Sequence, residues 1–422
     1  MTAHPLMSLP QSRAAGRAPG IPSVCSAHPW VIGAALALGR AEGRPVLIEA
    51  TCNQVNQDGG YTGMTPADFR RFVEAIAAKE GFARSDLILG GDHLGPNPWK
   101  HLTADLAMDR ACIMIAAYAA AGFTKLHLDA SMACAGDPNP LPDATIAQRA
   151  ARLAAVAEAA AGPIRPVYVI GTEVPIPGGA LEAVEHLTLT TPAAARATVQ
   201  LHHAAFAAAG IAGAFDRILG LVVQPGVEFG NENVVAYDPA AAVPLTTALD
   251  AMPLVYEAHS TDYQTPAALA ALVRDGFAIL KVGPGLTFAL REALYGLDHI
   301  ADHLFPARTV TLRAVMEAVM LANPVHWAPY YHGTPDHQHV QRHFSYSDRI
   351  RYYWTDPTAA QAVSDLMALF AGQTIPEPLI SQYLSGSYPA VMSGQLDPTA
   401  PALIRAAITR MLQDYSAACP QA

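Results

Sequence analysis

Two short segments hold the side chains with the clearest chemistry. GGDHLGPN (90–97) sets Asp92 beside His93 behind a pair of glycines, and YEAHSTDYQ (256–264) sets Glu257 and His259 two apart. Histidine is the commonest side-chain ligand for a transition metal, and a neighbouring aspartate is a ready acid–base. Residues two apart on a strand share a face, so Glu257 and His259 point the same way, whereas Asp92 and His93 are expected on opposite sides of theirs. IGTEVP (170–175) adds Glu173. Two histidines and a carboxylate from three strands make an ordinary site for Zn²⁺ or a similar divalent ion with one open position, so His93, Glu173 and His259 are the expected ligands.

More polar side chains follow apolar runs of the same kind: Ser26 and His28, Glu49 with Asn53 and Gln54, Asp129 and Ser131, Gln224, and Lys281. One acid after a strand is ordinarily a helix cap or a loop charge. A whole set at one end of a sheet is different, because facing carboxylates and imidazoles repel or lie idle unless a metal or polar substrate joins them. His101, His186, His202, His203, His299 and His303 fall in helical or loop patterns and read as surface residues. His326, His332, His337, His339 and His343 match no metal-ligand spacing and read as a packed loop with scattered histidines. SYSDRIRYYW (345–354) alternates arginine with aromatics, a pattern that binds a phosphorylated sugar or, as the favoured reading, anchors a C-terminal segment by aromatic burial. Arg349 or Arg351 at the site is the lesser alternative.

The elements that must position these groups are eight nearly unbroken apolar runs, at 22–25, 45–50, 87–91, 125–129, 166–171, 218–224, 254–258 and 277–282. Continuous apolar strands suit a parallel sheet covered on both faces, and alanine-rich stretches such as 150–161 and 203–209 supply the helices between them. Eight β–α units predict a (β/α)8 TIM barrel over residues 21–300, with 1–20 as an N-terminal tail and 301–422 as a mainly helical C-terminal extension. No glycine-rich dinucleotide fingerprint competes with this reading.

Composition narrows the class. The chain has 422 residues, is 51% hydrophobic and 15% charged, and carries a formal net charge of −10, which argues against nucleic acid or an anionic membrane as partner. Five cysteines without a CxxC pair read as reduced thiols of a cytoplasmic protein. No apolar run is long enough to span a membrane, and the first twenty residues lack a signal-peptide core. A homo-oligomer is expected.

Long motifs then carry a family resemblance from residue 20 to 415. SVCSAHPWVI (23–32), LIEATCNQVNQDGGYTGMTPADF (47–69), GGDHLGPNPW (90–99), LHLDASMACAGDP (126–138), IGTEVPIPGG (170–179), VVQPGVEFG (222–230), VYEAHSTDYQT (255–265), ILKVGP (279–284) and SDRIRYYW (347–354) resemble the GatZ/KbaZ family, companion subunits of class II D-tagatose-1,6-bisphosphate aldolase. Some members are described as tagatose-6-phosphate kinases, yet there is no Walker-type loop and no kinase signature here. The chain is more distantly similar to class II fructose-bisphosphate aldolases. That similarity implies an acid–base at Asp92, metal ligands at His93 and His259, a DGS-like turn at Asp129-Ala130-Ser131, and an acidic strand end at Glu173. Two departures stand out. Gln224 occupies the place of a further ligand histidine, which implies that Glu173 completes the metal set. Ser260, Thr261 and Asp262 replace a glycine-rich phosphate cradle, which favours free or singly phosphorylated sugars.

Three functions compete. The first is metal-assisted retro-aldol/aldol chemistry on ketoses or ketose phosphates, as in the family's aldolase, with a class II aldolase catalytic subunit as a partner. The second is a stand-alone divalent-metal ketose (tagatose/fructose) 4-epimerase, and the third a non-catalytic stabilising subunit. In the catalytic readings a divalent ion, Zn²⁺ by expectation, acts as Lewis acid on a linear ketose while the C3–C4 bond breaks. Asp92 takes the C4 hydroxyl proton, Asp129 is a second acid–base, and Glu257 serves as a further catalytic group or holds His259. Asn53, Gln54, Gln224, Ser260, Thr261 and Lys281 are the expected substrate contacts.

Overall fold

The computed structural model of the chain describes residues 4–172 and 187–422. One strand forms at each of the eight apolar runs, and together they pair in parallel and close into a barrel. They are β1 (Ile21–Val24), β2 (Val46–Thr51), β3 (Leu87–Leu94), β4 (Lys125–Leu128), β5 (Val167–Ile170), β6 (Ile218–Val222), β7 (Val255–Ala258) and β8 (Ile279–Val282). β8 seals against β1 with Ile21 opposite Ile279 and Ser23 opposite Lys281. The architecture is the expected (β/α)8 barrel with C-terminal helices.

Helix starts are written into the sequence as Thr-Pro steps. At Thr65-Pro66, Thr191-Pro192, Thr265-Pro266 and Thr334-Pro335 the threonine hydroxyl accepts the N–H three residues on, while proline sits where no intrahelical donor is needed. The first three caps fix where barrel loops end, and the fourth starts a helix of the C-terminal extension.

The barrel interior is layered by chemistry. Where the strands begin, Leu47, Ile88, Val167, Val255 and Ile279 form an apolar plug. The N-terminal residues expected as a tail join it. A short helix, Ser8–Ala14, follows a 3-10 turn, and Leu6 and Leu9 bury themselves against that plug. Further along the strands the inward residues become ionisable: Glu49, Asp92, Lys125, His127, Glu257 and Lys281, all buried. The β3 and β4 ends approach closely enough that a Cβ on Gly95 would lie 1.6 Å from the Asp129 carbonyl oxygen, so only glycine fits there.

The last barrel helix, Pro284–Leu304, continues past residue 300 into the extension. The chain's final described helix, Ala400–Ala418, returns to pack on it and on helices Pro29–Glu42 and Pro266–Arg274. The histidine-rich segment is not a loop: 337–343 lies within helix Pro335–Phe344, and 349–353 forms a 3-10 turn. Among the described residues no helix is long and apolar enough to cross a membrane.

Candidate active site

Three imidazoles face one another where β3, β4 and β7 end. Ring centroids lie 5.0 Å apart for His93–His127, 4.9 Å for His93–His259 and 5.1 Å for His127–His259. Each ring is held by its own carboxylate. His93 Nδ1 lies 2.7 Å from Asp129 Oδ2, His127 Nδ1 2.9 Å from Asp92 Oδ1, and His259 Nε2 2.9 Å from Glu257 Oε1. An ionised carboxylate only accepts, so the contacts to Asp129 and Glu257 place a proton on His93 Nδ1 and on His259 Nε2. His127 Nδ1 lies both beside Asp92 and 3.2 Å from the His93 backbone N–H, which donates to it. The other ring nitrogen of His127, Nε2, is buried with no hydrogen-bond partner among the described residues. Ligand atoms of Asp92, His93, His127 and His259 all fall within 4.8 Å of one another.

Beneath the rings lies a buried charge lattice. Lys125 Nζ is 2.6 Å from Glu49 Oε1 and 2.6 Å from Glu257 Oε2. Lys281 Nζ contacts Glu49 and lies 2.8 Å from Asp92 Oδ1. Four carboxylates (Glu49, Asp92, Asp129, Glu257) against two ammonium groups leave a formal charge of −2 in a region that excludes solvent. Unbalanced buried charge is costly, and one divalent cation on three neutral imidazoles cancels it. The donor set, the orphaned nitrogen and the charge therefore fit a divalent metal.

The titration behaviour follows from the lattice. Burial acts to raise Asp92, but the His93 and Lys281 charges hold it well below the usual carboxylate range. Burial likewise opposes ionisation of Glu257, and Lys125 and Lys281 overcome it. Burial pulls His259 down to about 3, with its Glu257 contact only partly compensating. For His93 burial is outweighed by Asp92 and Asp129, and the ring is raised.

A cleft lined by polar and aromatic side chains opens above the rings. Asp92, His93, His259, Asn53, Gln54, Ser260 and Lys281 line it. Asp92 and His93 were expected on opposite sides of β3. A register irregularity between Gly91 and Leu94 and a left-handed His93 (φ 49°) turn both into the cleft. Ser260 is also left-handed (φ 53°), so two strained backbones flank the rings.

Other expected residues fall elsewhere. Asp129 and Glu257 stand behind His93 and His259 and are buried. Gln224 does not line the cleft; its side-chain oxygen caps the Gly226 and Val227 N–H groups. Thr261 donates to the Lys281 carbonyl at 2.6 Å inside the wall. Glu173 lies outside the described residues. His202, expected at the surface, is buried against the Thr198 carbonyl, and burial lowers it to about 4.

One histidine of the site escaped the sequence reading. His127 had a usable signal: in β4 it shares the inward parity of Lys125 and Asp129. Arg351 and Tyr352 reach the cleft from the 3-10 turn of the extension, so the lesser alternative for Arg351 is the observed one. The anchoring role falls to Arg349, whose guanidinium lies 3.2 Å from the Tyr330 ring centroid.

A closed parallel barrel with this ionisable mouth defines an enzyme of the aldolase or epimerase type. The chain belongs to the D-tagatose-1,6-bisphosphate aldolase subunit GatZ/KbaZ-like family, matched over residues 6–420. It is 55% identical over 418 residues to a D-tagatose 6-phosphate 4-epimerase of Agrobacterium fabrum (strain C58 / ATCC 33970), covering 98% of each chain. It also resembles the crystal structure of a probable tagatose 6 phosphate kinase from Sinorhizobium meliloti 1021, with 64% identity and a TM-score of 0.89, over 95% of this chain and 100% of that one.

Proposed function

We propose that this chain is a stand-alone, divalent-metal-dependent 4-epimerase that interconverts D-tagatose 6-phosphate and D-fructose 6-phosphate. The observation that carries this reading is the completeness of the site: three carboxylate-backed imidazoles and a cleft-facing Asp92 all come from one chain. A subunit that only stabilised a partner would have no use for four buried carboxylates around an orphaned imidazole nitrogen. The name of the Agrobacterium fabrum relative supports the same reaction.

His93, His127 and His259 are the proposed ligands, a three-nitrogen set that suits Zn²⁺ with an open position. The bound ion supplies Lewis-acid polarisation of the ketose carbonyl. Asp92, kept ionised by Lys281, accepts the C4 hydroxyl proton as the C3–C4 bond breaks and its electron pair moves toward C2. The aldehyde fragment turns over within the cleft, C3 attacks its other face, and the new C4 oxygen recovers the proton. Asp129 and Glu257 act by fixing the His93 and His259 rings, so they are positioning residues. Asn53, Gln54 and Ser260 offer hydrogen bonds to the sugar hydroxyls along the cleft.

The test is conversion by the purified chain alone. With Zn²⁺ present and no other protein, ¹³C NMR should show tagatose 6-phosphate turning into fructose 6-phosphate, and prior chelation should stop it. Conversion that appears only after a class II aldolase subunit is added would replace this reading with the companion-subunit one.

A further inference from the structure

Barrels of this type commonly hold a substrate phosphate on backbone N–H groups near the last strands, at the start of a helix. In this chain that cradle is already filled. Asp262 Oδ1 accepts the N–H of Gly283 at 2.9 Å and of Gly285 at 2.8 Å, where helix Pro284–Leu304 begins. A carboxylate seated there takes the donors a phosphate would use and repels its charge. An anionic substrate must be held by another group on the same cleft.

The cations of the cleft differ in what surrounds them. Lys281 is matched to Glu49 and Asp92. Arg351 makes no ion pair with a carboxylate among the described residues. Its guanidinium donates to the Ser347 carbonyl, to the Asp348 carbonyl at 3.1 Å and to Tyr352 Oη at 3.0 Å. A guanidinium has five N–H donors, and three are thereby engaged, which leaves two for a ligand.

The surroundings keep this fork in place. Tyr352 stacks on His326 at 5.0 Å and 17°, and Tyr61 meets it edge-on at 4.8 Å. Asp348, left-handed at φ 45°, is tied to Thr287 at 2.6 Å and turns the chain toward the cleft. Fixing an arginine in advance lowers the ordering cost of binding, and its planar fork matches a phosphate better than a lysine does.

We propose that Arg351, presented to the cleft by the C-terminal extension and held against Tyr352, is the phosphate anchor of the substrate site, replacing the cradle that Asp262 closes. This rests on the ketose-phosphate reading above and assigns its phosphate subsite. The extension is then part of the substrate site and not only a cover for the barrel.

Two measurements on the full chain test it. The first is the ratio of kcat/KM for tagatose 6-phosphate to that for tagatose, in the wild type, Arg351→Met and Arg351→Lys. The ratio should fall about 10–100-fold in Arg351→Met, with Arg351→Lys between it and the wild type. The second is calorimetric titration with inorganic phosphate, which needs no turnover: the wild type should bind it, Arg351→Met should not, and Arg351→Lys should bind more weakly. An unchanged ratio, or phosphate bound equally by the wild type and the variants, overturns the proposal. If phosphate binds through Arg351 but neither ketose is converted, the epimerase reading fails and the anchor stands. Turnover with an unchanged ratio gives the reverse.

Discussion

The barrel mouth and the helix Pro335–Phe344 both bring histidines and carboxylates together, and they differ in what those groups have left to offer. At the mouth, His93, His127 and His259 each hydrogen-bond one carboxylate through one ring nitrogen, and a ligand atom from each lies within 4.8 Å of the others and of Asp92. In the extension, Glu317, His339 and His343 are close enough to share an ion. There, however, Arg342 contacts both oxygens of Glu317. His343 engages Tyr295 Oη at 2.6 Å with one nitrogen and Glu317 at 3.1 Å with the other. A counted cluster is a metal site only where lone pairs remain and the local charge is negative; where arginine has already neutralised the carboxylate, the same residue types make a structural clasp.

The comparison breaks most sharply at Asp92. Asp92→Asn removes the proposed base but keeps a side-chain amide that can hydrogen-bond to His127 Nδ1, so sugar conversion should fall about 10²–10⁴-fold with metal retained. A variant that keeps wild-type turnover would remove Asp92 from the chemistry and weaken the contrast between the two regions.

Glu317→Gln sharpens the other side, with a smaller effect of a different kind. Burial acts to raise Glu317, but Arg342 and His339 bring it down to about 2. A folded-state value below that of the free carboxyl means the stabilisation is complete above the unfolded value of 4.5 and is lost as pH falls from there toward about 2. Allowing for the partial exposure of Glu317, the substitution should cost about 1–2 kcal/mol at neutral pH by urea unfolding. The deficit should shrink below pH 4.5. Metal content and turnover should stay at wild-type values; loss of either would make the extension cluster functional.

How far these regions were legible depends on whether the signal is local. The barrel was readable because each strand is a continuous apolar run, and Asp92, His93 and His259 because motif and strand end coincide. His127 was harder: a single histidine in LHLD reads as core, and only its inward parity with Lys125 and Asp129 marks it. The bulge that turns His93 into the cleft is a register property, set by β4 as much as by β3. Arg351 could not be placed from the sequence, since its neighbours Gln54 and Tyr61 lie nearly three hundred residues away in the chain and meet it only through packing of the extension.

The contrast between the regions is tested most directly by anomalous diffraction at the zinc edge on crystals grown with Zn²⁺. The account predicts one strong peak inside the triangle of His93, His127 and His259, within coordination distance of His127 Nε2, and none beside Glu317. A peak bounded by Glu317, His339 and His343 with the triangle empty would contradict it.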